Sequence, residues 1–176
     1  MTDEVILVNY EDEVLGTMPK LQAHLEGKMH RAFSVFIFNS SGQLLLQQRA
    51  FDKYHSAGKW TNTCCSHPRP GEETEDAAVR RLLEEMGMYC EIEHKFSFRY
   101  DAEVGNGLIE NEYDHVYFGI SNREPQPNAD EVHAFKYVTM PALQEDLREN
   151  PEQYTEWLKV CFYRVLFYHQ RMFDNE

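Results

Sequence analysis

Three histidines and two glutamates have the side chains that protein metal sites use most often. They are His24, His30, His67, Glu110 and Glu112. Because side chains alternate along a strand, an extended backbone would place both carboxylates on one face. Imidazole nitrogens combined with carboxylate oxygens suit Zn²⁺, Mn²⁺ or Mg²⁺. The spacing alone does not bring these residues together, so a set of separate, solvated side chains is the alternative interpretation.

The chain has four cysteines, and two of them are adjacent. Neighbouring cysteines do not readily bridge each other, so Cys64 and Cys65 are expected to point to opposite sides of an extended segment. The sequence contains no C-x-x-C pair that would indicate a zinc clip. Cys64, Cys90 and Cys161 are interpreted as small buried apolar side chains.

The clearest predicted helix runs from about residue 75 to residue 86. Thr74 is expected to cap its first turn, and Gly87 is expected to end it. Arg81 and Glu85 are four residues apart, so the two side chains can pair along the helix surface.

The segment from Ser66 to Met88 nearly matches the Nudix box, G-x5-E-x7-R-E-U-x-E-E-x-G-U, in which U is a bulky apolar residue. Glu72, Arg80 and Gly87 all stand in register with it. Such a loop and helix hold divalent cations against a diphosphate, because two polyanionic partners meet only through a bridging metal. An ordinary amphipathic helix with a charged outer stripe is the alternative interpretation.

Two positions depart from the box. Ser66 stands at its first glycine, and Arg81 stands at the glutamate that follows the arginine. In Nudix hydrolases that glutamate belongs to the acidic cluster that binds the metals and activates water. Its absence predicts a weakened hydrolytic apparatus, with the helix kept as a metal clamp and the chemistry located elsewhere.

These side chains have to be positioned by a mixture of strands and helices. The sequence predicts strands at residues 5–8, 32–38, 43–49, 60–65, 91–100, 112–120 and 133–138, and helices at 75–86, 141–148 and 151–173. This order indicates an α/β or α+β fold, with a mixed sheet sandwiched between helices. The length of 176 residues is typical of one domain spanning residues 1–176.

The composition excludes some classes of partner. A net charge of −13 argues against a nucleic-acid-binding surface, which needs a basic patch. The apolar runs are too short to cross a bilayer, and the acidic start of the chain, Met1 to Glu4, does not resemble a secretory signal. We therefore expect a cytoplasmic protein that binds neither nucleic acid nor membrane and is a monomer or a weak homodimer.

Three segments of the sequence point to one known family. They are W-T-N-T-C-C-S-H-P at residues 60–68, the altered Nudix box, and E-N-E at residues 110–112. Together they resemble the type I isopentenyl-diphosphate isomerases of the Nudix superfamily, and the resemblance extends from about Val5 to Trp157. Members of that family interconvert isopentenyl and dimethylallyl diphosphate. They add a proton at one end of an allylic unit and remove one from the other.

The resemblance implies a site, residue by residue. A divalent ion, Mn²⁺, Zn²⁺ or Mg²⁺, would be held by His24, His30, His67, Glu110 and Glu112. A second ion, Mg²⁺, would be held against the diphosphate by Glu85. Cations near the phosphates would be Lys20, Arg49, Lys53 and Arg81, so that Arg81 becomes a phosphate partner.

The implied proton transfers involve Cys65 and Glu112 on opposite faces of the flat substrate, with Tyr100 as a possible relay from Glu112. An alkene is a very poor base, so its protonation needs a strong acid held close in a dry pocket. The intermediate is a tertiary carbocation, which the ring of Trp157 could stabilise by a cation–π interaction of about 2 kcal/mol. Which residue donates in which direction stays open.

Two alternatives remain at the level of the sequence. A Nudix hydrolase would keep the fold and the helix but would need neither Cys65 nor the E-N-E segment. A non-catalytic metal-binding domain would tolerate replacement of ligands that are all present here. His55, His94, His115, His133 and His169 match no motif and are assigned no role.

Overall fold

Strand β3 (His30–Phe38) lies at the centre of the sheet. In the computed structural model, which describes residues 3–174, it pairs antiparallel with β1 (Glu4–Val8), β4 (Leu44–Arg49) and β6 (Cys64–Ser66), and parallel with β8 (Ile109–Ile120). The outer strands of the described residues are β2 (Val14–Pro19), β5 (Trp60–Thr61), β7 (Glu93–Glu103) and β9 (Val132–Val138). Met1 and Thr2, part of the acidic start of the chain, lie outside the described residues, as do Asn175 and Glu176.

Helices cover both faces of this mixed sheet, as predicted. Val35 and Ile37 of β3 pack with α2 (Thr74–Met86) on one face. Phe36 and Phe38 point to the other face and pack with α3 (Met140–Glu149) and α4 (Glu156–Phe173). β3 is apolar on both sides because both of its faces are buried. None of the helices among residues 3–174 combines the length and apolarity that a membrane span requires.

Two elements near the N-terminus were not predicted. β2 pairs with β1 as an exposed edge strand, and α1 (Lys20–Glu26) follows it directly. The helix is only two turns long and buries only Ala23 and His24, so its sequence has too little periodicity to reveal it. It ends at Gly27, whose φ of 67° is left-handed.

The prediction for α2 was correct at its C-terminal end and wrong at its N-terminal cap. Gly87 adopts a left-handed φ of 62° and ends the helix, and a Cβ atom there would lie 2.5 Å from the carbonyl oxygen of Gln126. The prediction that Thr74 caps the helix was wrong, because Glu73 occupies the cap position and Thr74 is the first helical residue. A turn closed by the carboxylate of Glu72 on the backbone N–H of Arg69 fixes the chain before the helix and sets this start.

The C-terminal helical segment is interrupted. Residues Pro151–Gln153 form a short 3₁₀ turn, and α4 begins only at Glu156. Tyr154 is fully buried between them, and the backbone N–H of Thr155 donates to the carbonyl of Trp60. This contact with the sheet breaks the predicted continuous helix and determines where α4 starts.

Candidate active site

Glu112 lies between two strands that both bring a functional side chain to it. In the parallel pairing of β3 with β8, His30 is opposite Glu112, and in the antiparallel pairing of β7 with β8, Tyr100 is opposite it. The Tyr100 hydroxyl donates to Oε1 of Glu112 at 2.8 Å. Nε2 of His67 lies 2.8 Å from Oε2, and Nε2 of His30 lies 3.4 Å from the same oxygen.

Glu110 lies two residues earlier on the same face of β8, as the alternation predicts. Its Oε1 is 3.0 Å from Nε2 of His24, which α1 carries to the sheet. Its other oxygen, Oε2, is buried and has no hydrogen-bond partner within residues 3–174. Donor atoms of His24, His30, His67 and Glu110 all lie within 4.8 Å of one another.

The hydrogen bonds of two histidines decide which way their lone pairs point. Nδ1 of His24 lies 2.8 Å from the carbonyl of Lys20, and Nδ1 of His30 lies 2.9 Å from that of Lys28. A carbonyl accepts only, so each Nδ1 carries a proton, and whenever the ring is neutral the lone pair of Nε2 faces the cluster. Such backbone contacts are the usual partners of histidines that bind metals.

The cluster therefore fits a divalent cation. When the rings of His24 and His30 are neutral, their Nε2 lone pairs face carboxylate oxygens, and Oε2 of Glu110, buried without a hydrogen-bond partner among residues 3–174, is a further free ligand atom. Burial lowers the pKa of His67, and the neighbouring His30 lowers it further, so His67 is neutral and its ring can coordinate. All five predicted ligands of the first ion are brought together.

Cys64 and Cys65 point to opposite sides of β6, as predicted. Cys64 is buried against α2, with its Sγ 3.4 Å from Oε2 of Glu85. Cys65 lines the cavity that Glu112 also lines. Burial raises the pKa of the Cys65 thiol, although Arg49 opposes this shift, so the thiol is neutral. All four cysteines, each within the described part of the chain, are free thiols.

Tyr100 is also neutral. Burial raises the pKa of its phenol well above the ordinary value, and the nearby carboxylate of Glu112 raises it further. Burial raises the pKa of the Glu112 carboxyl, but His30 lowers it, and the smaller contribution of the hydrogen bond from Tyr100 lowers it further, so that the pKa falls overall. The cavity wall thus contains an ionised carboxylate hydrogen-bonded to an intact phenol.

Four cations line the same cavity: Lys20, Arg49, Lys53 and Arg81. Arg81 contacts Glu85 at 3.1 Å and Glu131 at 3.5 Å, and Lys53 forms an ion pair with Glu131. Burial lowers the pKa of Lys20. In a protein with a net charge of −13, this cluster is a local exception that suits an anionic ligand.

The cationic wall meets the end of α2 at Glu85. Its carboxylate is buried, accepts from Nε2 of Gln47 at 3.2 Å and pairs with Arg81. The Arg81–Glu85 pair thus lies in the cavity rather than on an exposed helix surface. Glu72 of the box does not reach the cavity, because it forms a two-point ion pair with Arg80 at 2.8 and 2.9 Å.

Trp157 closes the cavity from the first turn of α4. Its indole N–H donates to Oδ1 of Asn62 at 3.2 Å, which fixes the ring, and the guanidinium of Arg49 lies 5.3 Å from the ring centre. The aromatic face and one of the four cations that line the cavity are therefore neighbours.

Sequence reasoning found most of this site and missed part of it. Ten predicted residues line the cavity, namely Lys20, Arg49, Lys53, Cys65, His67, Arg81, Glu85, Glu110, Glu112 and Trp157. The other three, His24, His30 and Tyr100, stand behind it in contact with the two glutamates. His55 and Glu131 also line the cavity. His55, which was assigned no role from the sequence, contacts Glu110 at 2.8 Å, and no motif marked either residue.

The fold and the sequence are similar to those of known proteins. The model of the NUDIX domain matches residues 28–158. A crystal structure from Deinococcus radiodurans is similar with a TM-score of 0.76 at 22% identity, over 92% of this chain and 98% of that one. A MutT protein from Methanosarcina mazei is similar with a TM-score of 0.63 at 17% identity, over 84% and 96%. These two structures show the fold.

Sequence similarity to curated proteins is much higher. Isopentenyl-diphosphate Delta-isomerase 1 of Aromatoleum aromaticum is 54% identical over 94% of this chain and 94% of its own. The isopentenyl-diphosphate Delta-isomerase of Pectobacterium atrosepticum is 50% identical over 95% and 93%. That of Burkholderia multivorans is 46% identical over 94% of each chain.

Proposed function

The chain belongs to the type I isopentenyl-diphosphate isomerases of the Nudix superfamily, and we propose that Cys65 and Glu112 carry out its proton transfers in a metal-dependent site. The enzyme interconverts isopentenyl and dimethylallyl diphosphate. The observation that carries the proposal is that Cys65 and Glu112 line one cavity, together with four cations that suit a diphosphate. Arg81, where a hydrolase has a glutamate, counts against diphosphate cleavage.

The proton inventory balances at two carbons. A proton adds to the terminal CH₂ carbon of isopentenyl diphosphate and leaves a tertiary carbocation, and loss of a proton from the carbon next to the CH₂–O group forms the internal double bond. Cys65 and Glu112 serve these two carbons from opposite faces. Because the reaction is reversible, each acts as the acid in one direction and as the base in the other.

Tyr100 and Trp157 support this exchange. The phenol of Tyr100, behind the cavity wall, donates to Glu112 and can exchange a proton with that carboxylate, which faces the substrate. The indole of Trp157, held by Asn62, offers its π face to the carbocation.

Two metal sites complete the proposal. His24, His30, His67, Glu110 and Glu112 hold Mn²⁺, Zn²⁺ or Mg²⁺, and the donor atoms and the orphaned oxygen of Glu110 support this. A cation bound there would withdraw electron density from Glu112 and make its proton, or that of Tyr100, more acidic. Glu85 holds Mg²⁺ against the diphosphate, beside Lys20, Arg49, Lys53 and Arg81.

The free thiols are compatible with a reducing compartment, and we place the enzyme in the cytoplasm. The experiment that tests its function supplies isopentenyl diphosphate and Mg²⁺ in D₂O. Dimethylallyl diphosphate carrying deuterium, detected by NMR, is the expected product. Release of inorganic phosphate without an allylic product would replace the isomerase with a hydrolase.

A further inference from the structure

A fourth histidine lies at the metal cluster. His55 belongs to the loop between β4 and β5, is 7% exposed, and places its Nε2 2.8 Å from Oε1 of Glu110. This is the same oxygen that faces Nε2 of His24 at 3.0 Å. His55 is not among the residues whose donor atoms cluster within 4.8 Å of one another.

The two histidines approach Glu110 with opposite chemistry. His24 has its proton on Nδ1, where the carbonyl of Lys20 accepts it, so its Nε2 offers a lone pair. Nδ1 of His55 instead lies 3.1 Å from the hydroxyl of Ser56, which can donate to it. His55 then has its proton on Nε2, the nitrogen that lies 2.8 Å from Oε1 of Glu110.

The loop is built to hold this donor in place. Arg49 donates from Nη2 to the carbonyl of His55 and from Nε to that of Ser56, both at 3.2 Å. Ser56 has a left-handed φ of 51°, an uncommon conformation for a residue with a side chain, and it lies next to the histidine it orients. The backbone at His55 is therefore held by Arg49, one of the four cations that line the cavity.

The ring of His55 also contacts the aromatic wall. It meets Trp157 edge to face, with ring centres 6.2 Å apart and planes at 85°. One imidazole thus touches the carboxylate of Glu110 on one side and the indole of α4 on the other. The ring of His55 packs on Trp157, whereas its N–H faces Glu110, so a substitution that keeps the ring but removes the N–H tests the second contact alone.

We propose that His55 is a positioning residue that orients the carboxylate of Glu110 for metal binding. By donating to Oε1 it fixes the rotation of the carboxylate and compensates its charge, so that the ligand is already in place when the cation arrives. Partners of this kind change metal affinity about 10- to 100-fold. The inference rests on the proposed metal site of the isomerase.

The test uses the full-length protein, freed of metal, and measures the affinity for Mn²⁺ by calorimetric titration in the absence of substrate. His55→Phe keeps the ring and its packing on Trp157 but removes the donor, and we expect Mn²⁺ to bind about 10- to 100-fold more weakly. His55→Gln retains an N–H donor and is expected to recover most of the affinity. His133→Phe is the matched control, because His133 packs on Phe51 of the same loop and does not line the cavity.

The outcomes separate the two proposals. If wild type binds no Mn²⁺, Zn²⁺ or Mg²⁺, the proposed metal site fails and the role of His55 fails with it. If wild type and His55→Phe bind equally, only the role of His55 is overturned. If Phe and Gln variants with native circular dichroism both lose binding completely, His55 is itself a ligand and the positioning role is wrong. If His55→Phe does not fold, the Mn²⁺ affinity of His55→Gln decides. An affinity like that of wild type supports the positioning role, and loss of the affinity overturns it.

Discussion

The phenol of Tyr100 donates to Oε1 of Glu112 across adjacent strands at 2.8 Å, and both side chains are buried. The pairing leaves the second oxygen of Glu112 to His30 and His67, so one carboxylate contacts a phenol on one side and the histidine cluster on the other. This division is the structural basis for the proposal that Glu112 has two roles.

Removing the phenol should slow the reaction without unfolding the protein. In Tyr100→Phe the ring can still pack on Phe98, but Glu112 loses the hydrogen bond of the phenol and, in the proposed mechanism, the group with which it exchanges a proton. We expect kcat to fall about 100-fold, the lower end of the usual contribution of general acid–base catalysis. Tyr113→Phe, one residue along β8 from Glu112 and on the other face, should keep wild-type kcat. Equal rates for Tyr100→Phe and wild type would remove Tyr100 from the mechanism.

Replacing the cavity thiol should abolish turnover. Cys65→Ala takes away one of the two proton carriers, and we expect no detectable dimethylallyl diphosphate and an unchanged circular dichroism spectrum. The control is Cys90→Ala, which truncates a buried thiol that does not line the cavity and should retain activity at a stability cost of about 1 kcal/mol. Near-normal turnover in Cys65→Ala would contradict the assignment.

Metal removal should destabilise the protein as well as inactivate it. A cation that binds only the folded chain stabilises it by mass action, about 2.7 kcal/mol at one hundred times the dissociation constant. We expect chelation to lower the melting temperature and Mn²⁺ or Zn²⁺ to restore it. In Glu110→Gln, which has lost a ligand charge, the added metal should raise the melting temperature less. If neither the chelator nor added metal changed the melting temperature, the result would argue against the cluster as a metal site.

Arg81 should act on binding rather than on chemistry. Arg81→Gln removes a cation from the cavity and leaves Glu85 and Glu131 without their shared partner. Since an ionic hydrogen bond contributes about 1.5–3 kcal/mol, we expect KM to rise about 10- to 100-fold while kcat changes less. Arg99→Gln, which alters an arginine lying over Tyr10 away from the cavity, is the control. A loss confined to kcat would show that Arg81 acts in the chemical step.

The ion pair of Glu72 with Arg80 predicts a pH dependence of stability. The hydrogen bonds from Arg80 lower the pKa of Glu72 in the folded protein. A lowered folded-state pKa contributes stability that is present above the unfolded pKa of about 4.3 and is lost as the pH falls through the lower folded value. The difference in the free energy of unfolding between wild type and Glu72→Gln should therefore be larger at pH 6 than at pH 3. Urea titrations at both pH values measure it, and a difference that stays constant would contradict the prediction.

The sequence by itself determined the features that depend on near neighbours. Alternation along a strand placed Glu110 and Glu112 on one face and separated Cys64 from Cys65, and Gly87 ended the helix that carries Arg81. Each of these follows from local backbone geometry. The identity of the chemistry came from a resemblance, because no spacing connects Cys65 with Glu112.

Only the tertiary structure decided which side chains meet. Glu112 reaches His30 because β3 and β8 pair in parallel in one register, and that register is set by the packing of both sheet faces rather than by any local signal. The same long-range packing brings Nε2 of His24 and Nε2 of His55 to one oxygen of Glu110, and the contacts of their Nδ1 atoms favour a lone pair on the first and an N–H on the second. A histidine's role as ligand or donor depends on what its second nitrogen contacts, and for His55 that contact is fixed by a loop held against the folded cavity wall.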